Sequence, residues 1–577
     1  MVGIGVVDGI AIQKVFIYDN APCDEHQREY LGADKETARL FTAIETAKDQ
    51  LTRTAEKLAR EIGSDKAEII EYQINILCDK VFTDKILRNV ESGSACEDAV
   101  KTTCTEYYEI FNNLDNDYLQ QRKIDIIDIQ VRLLDILNGR KSISALGSST
   151  IVAAEDLTPS QVAEMELKSV KGILLEKGGR SSHSVIIAQS FGIPCIIGLR
   201  GLLNKLDECG TVIMDGKTGD VIINPPAELL ADYRGKLDRE TKNKKKLEAY
   251  ISKAPITPDG VQINVYANIA SAAEARMSLE NGGEGVGLFR TELLYMGFSE
   301  TPSREAQFKT YSRIAKDLGS KPLIIRTLDV GGDKEIAYLG IEKEANPFLG
   351  YRAIRYCLDH ESLFKDQIAA VLQAAKYGNI KLMFPMISTM DELMKAKRLV
   401  NETKAELLSQ GTEFADIPIG MMMEAPAAAL MADAFAQHVD FFSVGTNDLI
   451  QYLFAADRNN DKVSHLNSYY HPALFRCVNA ICTAALKHEI EIDICGHAGE
   501  APDLIPIWIA MGISGLSVSI PSIPLVKKII CETRAKDARE LLDKVLQFNT
   551  SGEVKEYLNT INGRMQAYDT GAIGSTQ

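Results

Sequence analysis

At 577 residues the chain has room for roughly three or four domains, each large enough to bury a core of its own. Hydrophobic residues make up 45% and charged residues 25%, globular averages that exclude a disordered or low-complexity polymer. Its 64 basic and 80 acidic residues give a formal charge of −16, which argues against a nucleic-acid partner because no basic cluster offsets it.

Residues 2–19 alternate apolar runs with glycine, as a strand, a turn and a second strand do. No basic segment followed by an apolar core opens the chain, so it does not read as a signal peptide. From Cys23 to Thr158 there is no proline, and Leu40, Ala43, Ile44, Ala47, Leu51, Ala55 and Leu58 recur at helical spacing, which predicts a helical bundle. Residues 24–139 hold 24 acidic and 15 basic residues, so this module carries most of the negative charge. Either solvated helix faces or a surface for a basic partner accounts for that balance.

After the bundle the pattern predicts strands at 149–154, 172–176, 195–198 and 211–223, with helices at 159–169 and 183–190. This is an α/β domain (residues 1–22 and 140–225) with the bundle (23–139) inserted near its start. Residues 226–253 are charged and periodic, so they predict one linker helix of roughly 42 Å at 1.5 Å per residue. Residues 254–577 then repeat strand and helix. Candidate strands are 262–267, 285–289, 323–327, 381–386, 419–424, 441–445, 490–495 and 516–519, the strand count of a TIM (β/α)8 barrel. The fold class expected is therefore multidomain α/β. The uncharged stretch 505–526 is long enough to span a bilayer, but its prolines, glycines and serines break it up, so no membrane insertion is expected. Eleven scattered cysteines without a Cys-x-x-Cys pair fit a reducing cytoplasm rather than a disulfide framework.

In such barrels the working residues project from the C-terminal strand ends. Those ends carry Arg290 and Glu292, Arg326 and Asp329, Glu424, Asn447 and Asp448, and Cys495, with Arg352 and Arg458 in the segments after strands three and six. A single arginine is usually a surface or ion-pair residue. Arginines and carboxylates gathered at one rim point instead to an anion held partly through a cation. The arginine fork matches phosphate or carboxylate oxygens, and the pair Glu424 and Asp448 leaves room for the waters and substrate that Mg²⁺ prefers. A phosphorylated carboxylic acid satisfies both. Cys495 alone reads as a small buried residue; at a barrel mouth a protonated thiol is also a proton donor.

In the α/β domain, Gly178-Gly-Arg-Ser-Ser-His183-Ser184 joins an expected strand to an expected helix. A helix N-terminus offers free N–H groups and a positive dipole end to an anion, and the imidazole of His183 can accept a phosphoryl group. The plain alternative is a histidine that caps or packs.

With these residues in view, the chain resembles the Enzyme I family of the phosphoenolpyruvate-dependent sugar phosphotransferase system. The resemblance spans essentially the whole chain. Its pieces are residues 178–183, Gly287-Leu-Phe-Arg-Thr-Glu292, Arg326-Thr-Leu-Asp-Val-Gly-Gly-Asp-Lys334, Asn346-Pro-Phe-Leu-Gly-Tyr-Arg352, Met423-Glu-Ala-Pro-Ala427, Phe441-Phe-Ser-Val-Gly-Thr-Asn-Asp448 and Cys495-Gly496. The resemblance implies a cytoplasmic, homodimeric enzyme that moves the phosphoryl group of phosphoenolpyruvate onto His183 and then to the carrier HPr, in the first step of sugar uptake. By the same carry-over Arg290, Arg326 and Arg352 hold phosphate and carboxylate, and Glu424 and Asp448 bind Mg²⁺. Asn447, Asp448 and Arg458 meet the substrate, and Cys495 protonates the enolate. The bundle is the docking module for HPr, the barrel is the dimerisation domain, and the α/β domain swings about the linker helix. Two positions depart from the family pattern: His497 stands where the family has Glu, with Glu500 as a potential replacement, and Ser181 stands where Thr is more familiar. Rival readings are a pyruvate phosphate dikinase or phosphoenolpyruvate synthase, for which the first 140 residues lack a nucleotide loop, the nitrogen-related paralogue, and a non-catalytic descendant.

Overall fold

The computed structural model describes residues 1–18, 30–61, 64–112, 123–139, 150–157, 161, 165, 169–177, 185, 188, 193–206, 210–296, 298, 300–332, 336–460 and 462–569. They form two compact units, Met1–Asn243 and Lys244–Gln577.

The first unit contains a seven-stranded sheet built from β1 (Ile4–Val7), β2 (Ile10–Tyr18), β3 (Thr150–Ala154), β4 (Val170–Leu175), β5 (Cys195–Ile197), β6 (Thr211–Asp215) and β7 (Asp220–Ile223), in the order β1-β5-β4-β3-β2-β6-β7. Strands β2 to β5 run parallel, and β1, β6 and β7 pair antiparallel at the two edges. The expected strand over 211–223 is thus a hairpin. Residues 216–219 (Gly-Lys-Thr-Gly) turn the chain, and the Asp215 carboxylate accepts the N–H groups of Lys217 and Thr218. Of the two expected helices, most of 159–169 and of 183–190 lies outside the described residues. Val185 and Ala188 from the second are buried against Val152, Val170 and Ile173.

Among the described residues between β2 and β3 are the helices α1 (Ala33–Glu61), α2 (Ser64–Cys78), α3 (Lys80–Glu91), α4 (Cys96–Asn112) and α5 (Lys123–Leu137). Leu40, Ala43, Ile44, Ala47, Leu51 and Ala55 of the predicted stripe are all buried in the bundle core, together with Phe82, Ile86 and Ile129. A polar clasp closes one end, where Arg39 bridges Glu36 and Glu97, at 2.8 and 2.6 Å. The charged stretch after β7 forms one helix, α6 (Ala227–Ile251).

The second unit is a closed barrel of eight strands: β8 (Asn264–Ile269), β9 (Val286–Arg290), β10 (Pro322–Arg326), β11 (Asn379–Phe384), β12 (Ile419–Met423), β13 (Phe441–Gly445), β14 (Glu491–Cys495) and β15 (Gly515–Val518). Every neighbouring pair is parallel. Parallel strands are covered on both faces, which is why runs such as Leu-Ile-Ile in β10 and Met-Met-Met in β12 are apolar without alternation. Outside the strands, Tyr311, Phe364, Phe384 and Trp508 pack the helices down. Inside, Leu288, Ile324, Met383, Met422, Phe441 and Cys495 form a separate cluster. The uncharged run 505–526 divides into helix Ile505–Ala510, strand β15 and the start of helix Ile523–Glu532. Among the described residues no helix is long and apolar enough to cross a membrane.

Candidate active site

Each barrel candidate sits where a strand or the segment after it reaches the C-terminal rim. Arg290 ends β9, Arg326 ends β10 and Cys495 ends β14; Glu424 follows β12 directly. Asn447 and Asp448 open helix Thr446–Phe454 at the end of β13, and Arg458 lies just beyond that helix. Arg352 precedes helix Ile354–Asp359. Eight of the nine sequence candidates thus share one rim; the ninth, His183, lies outside the described residues, as does the rest of its glycine-rich turn.

The charges are wired in alternation. Glu292 Oε1 meets Arg326 Nη2 at 2.7 Å, and Arg326 Nη1 meets Asp329 Oδ2 at 2.9 Å. Asp329 Oδ1 meets Arg352 Nη2 at 2.8 Å, which also reaches Asp448 Oδ2 at 3.5 Å; Asp448 Oδ1 takes Arg458 Nη1 at 2.8 Å. Arg326 and Arg352 are 6% and 2% exposed, so neither charge is tolerable there without its partners. Burial works against the Arg326 guanidinium, but Glu292, Asp329 and Glu424 hold its pKa above the ordinary value.

What the network leaves over defines the site. Among the described residues Arg326 Nε, Arg352 Nε and Glu424 Oε2 are buried with no hydrogen-bond partner. Among the described residues Arg290 forms no ion pair, and it lies close enough to Cys495 to lower its thiol pKa. Spare guanidinium donors suit an anion, and a buried carboxylate oxygen with no donor suits a cation. Burial, with Asp448 and Asp329 nearby, pushes the Glu424 carboxyl up to about 8, while Arg326 and Arg352 pull it back. With Glu424 Oε2 unpartnered and the Asp448 charge acting on it, this pair would suit a cation such as Mg²⁺, which takes its other oxygens from water and ligand.

The backbone is bent to make this possible. Met386, a non-glycine residue at φ 57°, turns its N–H onto Glu424 Oε1 at 2.6 Å, a left-handed conformation that costs about 1–2 kcal/mol. Gly331 lies at φ 98°, and a Cβ there would stand 2.7 Å from Arg352 Cβ, so only glycine lets that loop close on the arginine. Gly496, at φ 103°, has Thr446 Oγ1 where its Cβ would be. Phe348 lies under Arg352 and Arg458, 5.8 and 4.9 Å from its ring centre, and Tyr452 accepts a hydrogen bond from Arg352 Nη1 at 3.1 Å. Sequence reasoning missed Tyr452; Phe348 it held only as part of a motif.

Cys495 is 2% exposed and receives the Ser443 hydroxyl at 3.2 Å. Burial pushes its thiol up to about 11; Ser443, Arg326 and Arg290 moderate the rise and Glu424 adds to it. It therefore holds its proton at neutral pH. Asn447 Oδ1 accepts the His497 N–H at 3.1 Å and the Tyr469 hydroxyl at 3.3 Å, which leaves the amide hydrogens of Asn447 to face a ligand. His497 thus serves Asn447 through its main chain, while its exposed ring faces the Tyr469 hydroxyl at 3.4 Å. Glu500 accepts both the N–H and the hydroxyl of Ser519, so it is engaged as a local acceptor. A cavity of about 430 Å³ lies beside the charged rim, bounded by Phe348, Met386, Ala425 and Tyr452; its wall is mostly apolar and does not include Arg290, Arg326, Glu424 or Cys495.

Three family models match the chain: "PEP-utilising enzyme, N-terminal" over residues 2–122, "PEP-utilising enzyme, mobile domain" over 146–219 and "PEP-utilising enzyme, PEP-binding domain" over 244–535. Among curated proteins, the phosphoenolpyruvate-protein phosphotransferase of Geobacillus stearothermophilus is 39% identical over 96% of this chain and 97% of its own length. That of Bacillus subtilis is 38% identical over 96% and 98%. A solution structure of Enzyme I aligns over 42% of this chain and 99% of its own at 29% identity, with a TM-score of 0.37.

Replacing Arg352 with Met takes one of two arginine partners from each of Asp329 and Asp448 in the rim and lowers unfolding stability by up to about 3–5 kcal/mol, the cost of breaking a buried ion pair. Adding Asp329→Asn to Arg352→Met recovers part of that loss, because it removes one of the carboxylates left under-compensated. Urea unfolding followed by circular dichroism measures both; additive losses in the double variant would contradict the coupling.

Proposed function

This chain belongs to the phosphoenolpyruvate-protein phosphotransferase family, and from that membership we propose that it moves the phosphoryl group of phosphoenolpyruvate to its own His183 and then to the histidine of HPr, releasing pyruvate. The observation that carries this reading is the buried rim in which alternating arginines and carboxylates keep donors to spare for an anion and one carboxylate oxygen to spare for a cation.

Arg290, Arg326, Arg352 and Arg458 divide the phosphate and carboxylate of the substrate among them, and Asn447 adds an amide donor. A planar carboxylate and a tetrahedral phosphate on one small molecule need such a set, since each guanidinium fork fits one pair of oxygens. Glu424 and Asp448 hold Mg²⁺, which neutralises phosphate charge. Phosphoryl transfer through a loose transition state asks chiefly for this positioning and neutralisation. The His183 imidazole nitrogen forms the new N–P bond as the bond from phosphorus to the enol oxygen breaks. The electron pair left on the enolate oxygen forms the carbonyl, and the methylene carbon takes the proton of the Cys495 thiol. A thiol kept protonated by burial beside the cationic Arg290 is matched to that task.

In this reading residues 1–22 and 140–225 are the phosphohistidine domain, and 23–139 are the module that docks HPr. Residues 226–253 link them to the barrel, 254–577, which binds phosphoenolpyruvate and forms the homodimer in the cytoplasm. The acidic excess of the bundle supports a carrier with a basic face.

Incubating the protein with Mg²⁺ and phosphate-labelled phosphoenolpyruvate gives acid-labile label on the wild type and none on His183→Ala, and the label chases onto added HPr. Label on His183→Ala, or label unaffected by Arg326→Ala, would overturn the assignment. A second outcome concerns the metal. An acid whose folded pKa is raised makes the fold less stable as pH rises, here between about 4.5 and 8 for Glu424. Cation binding relieves that loss, so Mg²⁺ raises the melting temperature more at pH 8.5 than at pH 5.5. Glu424→Gln loses the difference; an equal Mg²⁺ effect in that variant would contradict Glu424 as a ligand.

A further inference from the structure

Helix Thr446–Phe454 brings Asn447 and Asp448 to the rim, and one turn further on it carries two residues that the scheme above does not use, Gln451 and Tyr452. Asp448, Gln451 and Tyr452 stand at i, i+3 and i+4, so they share one face of the helix. Each of them holds an arginine of the rim. Asp448 takes Arg458 Nη1 and Arg352 Nη2; Gln451 Oε1 accepts the main-chain N–H of Arg458 at 3.1 Å; the Tyr452 hydroxyl accepts Arg352 Nη1 at 3.1 Å.

The same hydroxyl donates its own proton to the carbonyl oxygen of Phe348 at 2.5 Å. Burial pushes the phenol up to about 12, against the pull of Arg352 and with the help of Asp448 and Glu424, so that proton stays on. Tyr452 thus joins two segments of the rim, the helix after β13 and the stretch 346–352 that follows β10. Other polar groups of that stretch are engaged elsewhere: the Leu349 and Gly350 carbonyls accept Arg355 Nη1, and the Tyr351 N–H goes to Glu344 Oε2. Phe348 is the residue whose ring lies under both Arg352 and Arg458. Its carbonyl and the Arg352 guanidinium therefore meet at one hydroxyl. On its other side the Tyr452 ring borders the apolar cavity, so packing does not fix it there and the two hydrogen bonds do.

Asp329 and Asp448 occupy Arg352 Nη2, Tyr452 occupies Nη1, and the buried Nε has no partner among the described residues. A guanidinium is a planar fork, so fixing two of its nitrogens fixes where the third points. We propose that Tyr452 is a positioning residue for the phosphorylated ligand: its hydroxyl sets the rotation of Arg352 and the seat of Phe348 ahead of binding, so that Nε faces the incoming anion. The proposal rests on the reading of Arg352 as a ligand arginine. Tyr452 itself touches no reacting atom; it acts through Arg352 and through the Phe348 ring beneath Arg352 and Arg458. Pre-organisation of this kind lowers the ordering cost of binding, so its loss weakens the hold on the ligand and leaves the chemical step alone.

The test is a rapid-quench titration of the full chain with Mg²⁺ and increasing phosphate-labelled phosphoenolpyruvate. Acid-labile label on the protein gives a half-saturating concentration, a maximal rate and an amplitude. Tyr452→Phe, which removes only the hydroxyl, raises the half-saturating concentration roughly five- to tenfold, with the maximal rate within about twofold of wild type and the amplitude unchanged. Label passes from that variant to HPr at the wild-type rate. Tyr452→Leu shows the same rise, and it decides the matter should Tyr452→Phe fail to fold. Arg352→Lys also raises the half-saturating concentration, and adding Tyr452→Phe raises it little further, because the hydroxyl acts through Arg352. A wild-type half-saturating concentration in both Tyr452 variants, or fully additive effects with Arg352→Lys, would overturn the proposal. So would a fall in amplitude with half-saturation unchanged, the mark of a residue that only supports the fold. A wild-type titration by Arg352→Lys would overturn the reading of Arg352 beneath it.

Discussion

The barrel rim depends on one run of alternating charges, buried from Glu292 through Arg326, Asp329 and Arg352 to Asp448 and ending on the partly exposed Arg458. Taking a guanidinium out of water costs several kcal/mol, and each link recovers that cost only while both neighbours are in place. The links come from the segments after β9, β10 and β13, so the run also ties separate βα units into one surface. Because Arg326 and Arg352 are each shared between two carboxylates, these two arginines stay in place when no ligand is present. A ligand then meets donors already aimed, which is how a site supplies electrostatic stabilisation without reorganising during the reaction.

The rest of the site is arranged around that run. Gly331 lets a loop close against Arg352, and Phe348 and Tyr452 hold the arginine planes from the outer side. Met386 accepts a strained conformation to give Glu424 its one N–H, and the other carboxylate oxygen is left without a donor. A strained Met386 beside an unsatisfied Glu424 oxygen is a cost that a stable barrel does not need. It makes sense if the stability lost there is returned when a cation binds. Cys495 completes the set from the barrel interior, where burial keeps its proton on and Ser443 fixes its sulfur.

Much of this was legible in the sequence, because parallel strands announce themselves as short apolar runs and their C-terminal ends mark the working face. All eight barrel strands fall within two residues or so of their expected positions, and the six apolar residues of α1 whose burial is described face inward as their spacing required. Residues 211–223 form a hairpin rather than the single expected strand, and its turn sequence, Asp215-Gly-Lys-Thr-Gly219, stands in plain view between two apolar runs. Pairing was not legible at all. Nothing in the chain order says that Arg352 shares Asp329 with Arg326, that Tyr452 reaches Arg352, or that the Ser443 hydroxyl reaches Cys495 Sγ. Those contacts follow from barrel closure and register. The change to His497 looked weightier in sequence than in structure, where the main chain of that residue holds Asn447, and Glu500, the expected replacement, is bound to Ser519.

The central claim is that this rim, and no other part of the barrel, receives a phosphorylated carboxylic acid together with a divalent cation. A crystal structure with Mg²⁺ and a phosphonate analogue of phosphoenolpyruvate tests it most directly. The account predicts the phosphonate and carboxylate on Arg290, Arg326, Arg352 and Arg458, with the cation on Glu424 and Asp448. An analogue bound in the apolar cavity beside Phe348, or bound at the rim with no cation on Glu424, would contradict it.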